Sequence, residues 1–314
     1  MSAVSQGYAP AALSTALRIV DDAWEELRRS VFVQTQIGLP MASLPSLSVA
    51  EAERKSAVGR SLVQRIEALK VDTLPGDVAL SVRLVKFRAR TWAREAEWYW
   101  TVSDPLGVGF FGMFLPTAYC GGFLLSFVHG QLAAFRFNDA GDPDRYLGLI
   151  ADYARLLDEM TARTRGQAER GMRMPKVQVL QARTLFETYR AGCRRALGVD
   201  PKRLGDTPRS EDTPRPGGMP AESFLRELQA RIEQAVVPAF DRLLGLLSDD
   251  YLELAPDRVG LGQYPGGSEI YAELVKLHTT LDLTPHQVHA RGLERMAKIE
   301  ASMREIRAQL GFTG

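Results

Sequence analysis

The sequence has few cysteines, no long apolar run and no excess of either charge. Its 314 residues include only two cysteines, Cys120 and Cys193, which lie far apart and outside any Cys-x-x-Cys spacing. This count excludes a disulfide framework and a cysteine-based zinc knuckle. No stretch approaches the roughly 20 uninterrupted apolar residues of a membrane span, and the N-terminus lacks a basic start before an apolar run. We therefore expect a cytoplasmic protein with no membrane partner.

The charge balance also argues against a nucleic-acid partner. Lys and Arg number 39, Asp and Glu number 38, and the formal net charge is +1. A chain so close to neutrality has no long-range field that would attract nucleic acid. Its 45% apolar and 25% charged residues are typical of a globular protein. We expect it to fold without a nucleic-acid partner.

Several common catalytic motifs are also missing. The sequence contains no G-x-S-x-G elbow, no H-E-x-x-H and no P-loop. It therefore lacks the motifs for acyl transfer by an elbow serine, for simple zincin chemistry and for nucleotide hydrolysis, respectively. Gly107, Gly109 and Gly112 spell G-x-G-x-x-G, but a dinucleotide site needs a strand before this motif and a helix opening on it, and Pro116 follows instead. We interpret it as a glycine-rich loop. No catalytic or cofactor-binding residue is predicted.

Apolar residues recur at helical spacing through most of the chain, which predicts a mainly α, multi-helical fold. The first helix is expected to bury the stripe Leu17, Val20, Trp24, Leu27 and Val31. The third predicted helix places Leu80, Leu84 and Phe87 on one face. Residues 143–168 predict a further helix with the apolar positions Tyr146, Leu149, Ile150, Tyr153, Leu156 and Leu157. The stretch from Leu124 to Phe137 fits either a strand or a helix.

Two clusters in the middle of the chain allow more than one interpretation. An aromatic cluster could stack a ligand, although core packing is favoured, and it comprises Trp92, Trp98, Tyr99 and Trp100. A basic run could meet a phosphate or a carboxylate, and it comprises Arg163, Arg165, Arg170, Arg173 and Lys176. For this run a solvated helix end is favoured, because cations near a helix C-terminus also complement its dipole.

Composition divides the chain into three parts. Residues 1–199 form an N-terminal helical region, residues 200–221 a Pro/Gly-rich loop, and residues 222–314 a C-terminal helical region. Large apolar residues nearly vanish from the loop, which is typical of a mobile surface segment. Pro238 is expected to kink the helix that follows the loop and contains this proline. We expect the two helical regions to pack together as one incomplete domain.

The C-terminal segment carries the most specific local signals. After a glycine-rich turn, Ser268 can cap a helix that ends at the polar stretch from Thr279 to Asp282. Thr284, Pro285 and Gln287 form a capping-box signature for a second, long helix. Its apolar seam is predicted to face other helices, with the seam residues His289, Gly292, Met296, Ile299, Met303, Ile306 and Leu310. His289 would then start on the buried side.

Three of the four histidines, His278, His286 and His289, fall within this segment. A metal site is one interpretation, but no carboxylate lies at a recognisable ligand spacing. Hydrogen-bonding groups in a buried polar seam, or groups that reach into a cleft, are favoured instead. We therefore predict no metal ligand in this chain.

The run YPGGSEIYAELVKLHTTLDLTPHQVHARGLERMAKIEASM resembles the bacterial family catalogued as domain of unknown function 885. The resemblance implies a fold similar to zinc oligopeptidases and carboxypeptidases that enclose a deep cleft, with zinc held by an H-E…P-G-H-H type motif. This sequence lacks that motif. The resemblance thus implies the N-terminal portion of a truncated metallopeptidase-like protein, inactive alone, with zinc expected only in a complete family member.

The resemblance also implies a substrate-binding role for cleft-lining residues of the segment, namely Tyr264, Tyr271, His278, Thr279, Thr280 and His289. The partners it implies are a peptide substrate and the missing C-terminal half. Two alternatives remain open. One is a non-catalytic helical binding or interaction module built on the long terminal helix and the aromatic cluster. The other is a metal-dependent enzyme built on His278, His286 and His289.

Overall fold

The computed structural model describes residues 10–107, 109, 111–204 and 219–312. Contacts divide the chain into a larger unit, Met1–Asp257, and a C-terminal unit, Arg258–Gly314. The predicted multi-helical fold is confirmed, since the described residues form helices and a single isolated β-bridge between Ser103 and Gly112. Most of the Pro/Gly-rich loop, residues 205–218, lies outside the described residues.

The described residues of the larger unit form ten α-helices: α1 (Pro10–Leu27), α2 (Val31–Gln36), α3 (Val49–Glu67), α4 (Gly76–Trp92), α5 (Phe123–Ala134), α6 (Asp142–Glu169), α7 (Lys176–Leu197), α8 (Ala221–Arg231), α9 (Val237–Leu246) and α10 (Asp249–Glu253). The ambiguous stretch before residue 137 is therefore helical. The C-terminal unit contributes α11 (Gly267–Thr279) and α12 (Pro285–Gln309). None of the described helices combines the length and apolarity that crossing a membrane requires.

Helices α1, α3 and α4 pack around a core that uses small side chains. The predicted buried stripe is wrong for Leu17 and Trp24, which are 46% and 43% exposed. Val20 and Leu27 do pack against the core, and Val31 is buried at the start of α2. The buried face of α1 instead carries Ala16, Ile19 and Ala23. Small side chains at these positions let the helix axes approach closely, and this geometry selects the buried face over the larger apolar residues beside it.

The buried face of α4 also differs from the predicted one. Its predicted apolar face points outward, with Leu80, Leu84 and Phe87 between 39% and 62% exposed. The buried positions are Ala79, Val82, Ala89, Thr91 and Trp92. Close helix contact, rather than side-chain size, again decides which face is covered.

Gly59 sets the closest approach between α3 and α4. A Cβ atom at this position would lie 2.3 Å from the backbone N of Ala93 and 2.7 Å from the carbonyl oxygen of Ala89. Nearly one turn earlier, the buried Ser56 hydroxyl donates to the Trp92 carbonyl at 3.2 Å and accepts from the Ala96 N–H at 2.8 Å. Two small residues of α3 therefore hold the end of α4 against it.

The second core surrounds the 28-residue helix α6. Its predicted apolar positions are confirmed, because none of the six side chains from Tyr146 to Leu157 is more than 1% exposed. The Tyr146 hydroxyl donates to the Leu197 carbonyl at 2.8 Å. The Tyr153 hydroxyl bonds to Nε2 of His129 on α5, also at 2.8 Å. Burial lowers the pKa of His129 to about 4, so the ring is neutral at pH 7.

The helix does not end at Pro238, but the turn that precedes this proline is wider than an α-helical turn. A π turn, Ile232–Val236, separates α8 from α9, and Pro238 lies in the first turn of α9. Proline has no N–H to donate and its ring excludes the carbonyl four residues earlier, so a wider turn accommodates it. The kink predicted at Pro238 stays a prediction, and the structure places a π turn directly before this residue's helix.

The capping signals of the C-terminal unit are largely as predicted. The Thr284 hydroxyl accepts from the Gln287 N–H at 3.2 Å, and the Gln287 side chain accepts from the Thr284 N–H at 2.8 Å, which completes the capping box. Ser268 does not cap α11. The helix begins at Gly267, two residues earlier than a Ser268 cap implies, with Gly266 as its N-cap at a left-handed φ of 69°. Gly267 packs too close to Leu261 for any side chain.

The expected burial of α12 is wrong. No residue of this helix is buried, and His289 is exposed. A helix of 25 residues spans about 37 Å at 1.5 Å per residue, whereas α11 has only 13 residues. Within the C-terminal unit, α11 is therefore too short to cover the seam.

Replacing Gly59 with Ala should destabilise the larger unit by about 1–3 kcal/mol, because the new Cβ atom meets backbone atoms that cannot move separately from their helices. The matched control is Gly192→Ala on α7, where a Cβ atom meets nothing within 4 Å. This control should be neutral or stabilise the protein by about 0.5–1 kcal/mol. Urea unfolding measures both, and equal midpoints for the two variants would contradict the close-packing role of Gly59.

Candidate functional site

One face of α6 carries five polar side chains at intervals of three or four residues. They are Asp152, Arg155, Glu159, Arg163 and Gln167. Side chains at this spacing line up along a helix. Each of them bonds to the backbone of an irregular segment of the larger unit, and we refer to these five residues as the α6 polar ladder.

The first three members of the ladder hold the segment before α3. The Asp152 carboxylate accepts from the Leu44 N–H at 2.9 Å, and Arg155 donates to the Leu44 carbonyl at 3.1 Å. The Glu159 carboxylate accepts from the Leu47 N–H. Since the side chains of Leu44 and Leu47 are buried, these bonds satisfy backbone groups that water reaches poorly.

The last two members hold the segment after α4. Arg163 donates from Nη2 to the Val102 carbonyl at 2.9 Å and from Nη1 to the Ser103 hydroxyl at 3.3 Å. Gln167 donates to the Trp100 carbonyl at 2.8 Å. The Gln167 side chain also donates to a second carbonyl of the same region, that of Met113, at 2.9 Å. Both irregular segments are thus fixed by one helix.

These two segments line a pocket of about 480 Å³ in the larger unit. Its wall also includes side chains of α1, α2, α3 and α4. The apolar part of the wall includes Leu27, Val31, Trp92 and Leu106. A pocket of this volume, lined by apolar surface and a few convergent polar groups, is typical of small-molecule sites.

Gly107 of the glycine-rich loop lines this pocket. Gly107 and Gly109 adopt left-handed φ angles of 69° and 88°, and residues 108 and 110 lie outside the described part. The Gly107 carbonyl accepts from Arg88 at 2.8 Å, and the Asp104 carboxylate accepts from the Gly109 N–H at 2.8 Å. The loop therefore meets a cation and a carboxylate of its own protein, as expected for a structural turn.

The acidic side chains of the pocket wall are paired within the protein. Three of these pairs are Glu95 with Lys55 at 2.6 Å, Asp104 with Arg88 at 3.8 Å, and Asp152 with Arg155 at 3.2 Å. Glu26 and Glu51 share Arg54, at 2.6 and 2.7 Å. The Arg54 hydrogen bond is the main cause of the lowered pKa of Glu51, which keeps this carboxylate ionised.

Arg163 is a buried cation in this wall. Its side chain is 4% exposed and forms no salt bridge with any described residue. The guanidinium lies 4.4 Å from the ring centroid of Tyr99, burial lowers the pKa of Arg163 to about 10, and its Nε has no hydrogen-bond acceptor. The predicted solvated helix end is wrong for this residue, because α6 continues to Glu169 and leaves Arg163 inside the helix.

Core packing of the aromatic cluster is confirmed for Trp92, Trp98 and Tyr99, each at most 7% exposed. The structure adds a feature that the sequence did not reveal. The guanidinium of an arginine lies against each ring of the cluster in a cation–π contact. The pairs are Arg88 with Trp92, Arg94 with Trp98, Arg163 with Tyr99, and Arg170 with Trp100. Two of these pairs are separated by four residues, a spacing that could have indicated them.

The six residues predicted to bind substrate all lie in the C-terminal unit. Tyr264 is buried at 8% exposure, and Thr279 is half-buried with its hydroxyl donating to the Val275 carbonyl at 2.7 Å. Thr280 takes a left-handed φ of 57°, which ends α11. The remaining three, Tyr271, His278 and His289, are exposed.

The described residues bring no metal-ligand group together. Across residues 10–107, 109, 111–204 and 219–312, no three His, Cys, Asp or Glu side chains are placed to hold an ion, and this includes His278, His286 and His289. The two cysteines, Cys120 and Cys193, are buried and unpaired as thiols. Burial raises the pKa of Cys120 to about 11, so this thiol is protonated and unreactive.

Comparisons with known proteins assign this helical chain to a family of bacterial proteins. It belongs to the DUF885 family of bacterial proteins of unknown function, whose model matches residues 32–314. No curated protein matches the chain. A solved structure described as a "putative lipoprotein" from Colwellia psychrerythraea is similar, with a TM-score of 0.70 and 16% identity. The match covers 96% of this chain and 52% of that protein, so the chain spans about half of its length. At this identity the similarity shows the fold alone.

Replacing Glu159 with Ala should loosen the segment around Leu47 and cost about 1–3 kcal/mol of stability, because the Leu47 N–H loses its acceptor. The control is Asp158→Ala, which removes the adjacent carboxylate and its exposed pair with Arg242. That variant should change stability by no more than about 1 kcal/mol. Urea unfolding and hydrogen exchange at the Leu47 amide compare them. Unchanged exchange at this amide in the Glu159 variant would rule out the ladder's anchoring role.

Proposed function

We propose that this chain supplies one wall of a peptide-binding cleft in a zinc-peptidase-like protein of the DUF885 family, and that it does not cleave peptide bonds by itself. The observation that carries the proposal is the exposed apolar stripe of α12. Its members Met296, Ile299, Met303 and Ile306 are between 43% and 56% exposed. A stripe of this extent is typical of a surface that another body covers.

The covering body in this proposal is the remaining half of a complete family member. The chain spans 52% of the similar solved protein, which leaves a comparable length of polypeptide to pack on α12. Exposed polar groups precede the stripe, on α11 and at the start of α12, and they include Tyr271, His278 and His289. A phenol and two imidazoles can exchange hydrogen bonds with a peptide backbone. These groups would form the cleft wall.

The residues that the structure describes do not fit a zinc site. A catalytic zinc needs three protein ligands, and the described side chains offer no such group. Zinc would polarise the scissile carbonyl or generate hydroxide, and its ligands would come from the H-E…P-G-H-H type motif expected in a complete family member. In this proposal the chain's own residues bind and orient the peptide.

The purified chain should therefore hold no stoichiometric zinc and should not hydrolyse peptides, because its described residues offer no ligand set that could retain the ion. Elemental analysis after dialysis and a fluorogenic peptide assay measure these two properties. An established zinc peptidase, assayed with the same peptides, serves as the positive control. One tightly bound zinc per chain, or hydrolysis that a chelator abolishes, would show that the proposal is wrong.

A second candidate function is a non-catalytic interaction module, in which the α12 stripe contacts a partner chain. The exposure of Met303, at 50%, favours this candidate as well. With a second copy as the partner, sedimentation should show concentration-dependent association that Met303→Glu abolishes, since a carboxylate cannot be buried unpaired at low cost. Ser302→Glu adds the same charge at an exposed position beside the stripe and should leave association intact. A chain that stays monomeric at every concentration contradicts this candidate.

A further inference from the structure

We propose that the junction of α5, α6 and α7 is an acid-sensitive latch, in which protonation of His129 loosens α5 while the other core of the larger unit stays folded. His129 is the only histidine of the larger unit, since the other three lie in the C-terminal unit. It lies on α5, and its Nε2 bonds to the Tyr153 hydroxyl of α6 at 2.8 Å. The inference does not depend on the cleft-wall role of the C-terminal unit.

The imidazole of His129 lies against aromatic rings of two neighbouring helices. Its centroid is 5.5 Å from that of Tyr153 on α6 and 5.0 Å from that of Tyr189 on α7. The Tyr189 hydroxyl in turn donates to the Gly122 carbonyl, directly before α5, at 3.3 Å. One side chain therefore joins three helices, and a change in its charge affects the contacts of all three.

The hydrogen bond between His129 and Tyr153 requires a neutral imidazole. The Tyr153 side chain is fully buried, and Nε2 of His129 is the acceptor that the described residues give its hydroxyl. A neutral imidazole has one nitrogen that accepts, whereas both nitrogens of an imidazolium are donors. Protonation would set two donors against each other and leave the buried Tyr153 hydroxyl without an acceptor, which is costly.

The groups that face His129 carry no negative charge in acid. α5 itself contains no Asp or Glu. The titratable groups on the facing sides of α6 and α7 are Tyr153, Tyr189 and Cys193, and burial raises the pKa of each, so all three are neutral below pH 7. An imidazolium at this junction would therefore be a partly buried cation without a counter-charge.

The charged side chains of α7 near Cys193 do not supply that counter-charge. Arg190 and Arg194 are cations, and they pair at the surface with Asp241 and Glu233. Burial is accordingly the effect that lowers the pKa of His129, and no carboxylate opposes it.

The pH window of the latch follows from the two states of His129. Burial in the closed state lowers its pKa to about 4, whereas a solvated imidazole keeps the ordinary value of 6.5. The loosened state thus binds a proton that the closed state does not bind as the pH falls from 6.5 to 4. The stability that neutral His129 gives to the closed state is complete above pH 6.5 and is lost across this window.

The loosening is expected to remain local, because the larger unit has two separate cores. α5 belongs to the core around α6, whereas α1, α3 and α4 surround the other core and contain no histidine. α5 also carries Phe127, whose ring centroid lies 5.8 Å from that of Phe32 on α2. Since Val31 and Gln34 of α2 line the pocket, a looser α5 would also release this part of the pocket wall.

Hydrogen exchange of the full chain at pH 7 and pH 5, corrected for the intrinsic pH dependence of exchange, tests the latch. A pKa of about 4 in the closed state and 6.5 in the open state favours opening about twentyfold more at pH 5 than at pH 7. Protection of the α5 amides should fall by about this factor, and that of the α3 amides by less than about threefold. Unchanged protection of α5, or an equal loss in α3, would overturn the proposal.

Variants assign the effect to His129. His129→Gln keeps an acceptor for the Tyr153 hydroxyl but cannot be protonated, so protection of its α5 amides should be the same at both pH values. The matched control is His289→Gln, which makes the same change at an exposed histidine and should retain the loss at pH 5. If His129→Gln does not fold, His129→Phe, which keeps a ring without a titratable nitrogen, decides. A loss at pH 5 that persists in the folded His129 variant would refute the latch.

Discussion

The α6 polar ladder is the interaction on which the rest of the larger unit depends. One side of α6 is covered by apolar side chains, and the other side bonds to the backbone of two segments that have no regular structure of their own. Buried N–H and C=O groups need partners, and a helix or a sheet normally supplies them. Here side chains such as Glu159 and Gln167 supply them instead. The irregular segments can therefore lie against the core, and the pocket between them has defined walls.

The sequence predicted those parts of the fold in which large apolar residues and capping residues act locally. The apolar stripe of α6 and the Thr284 capping box are examples, because each depends on residues within one helix. The buried face of α1 was missed, since close helix packing selects Ala16 and Ala23 over Trp24. The ladder was missed for a different reason. Polar residues at helical spacing normally indicate a solvent face, and only the distant segments reveal that they are covered.

In the candidate sites, too, the features set by local sequence were predicted and those set by tertiary contacts were not. The seam of α12 has the predicted spacing, but a spacing identifies which residues share a face and does not identify what covers that face. Arg163 belonged to a basic run, and no local sequence pattern could predict which residues would surround it. Its burial depends on Tyr99 and on the segment after α4, which are about 60 residues earlier in the chain. Functional groups that act by their surroundings are therefore the hardest to predict from sequence.

The ladder also ties the pocket to the order in which the chain folds. Leu44 and Asp152 are separated by 108 residues, and Leu47 and Glu159 by 112. Closing loops of this length costs entropy that only a formed core can offset, so helices that contact their sequence neighbours are expected to assemble earlier. The hairpin of α3 and α4 and the core around α6 would then precede the pocket. The pocket walls would accordingly be among the last contacts to form, and partial unfolding would open the pocket while most helices persist.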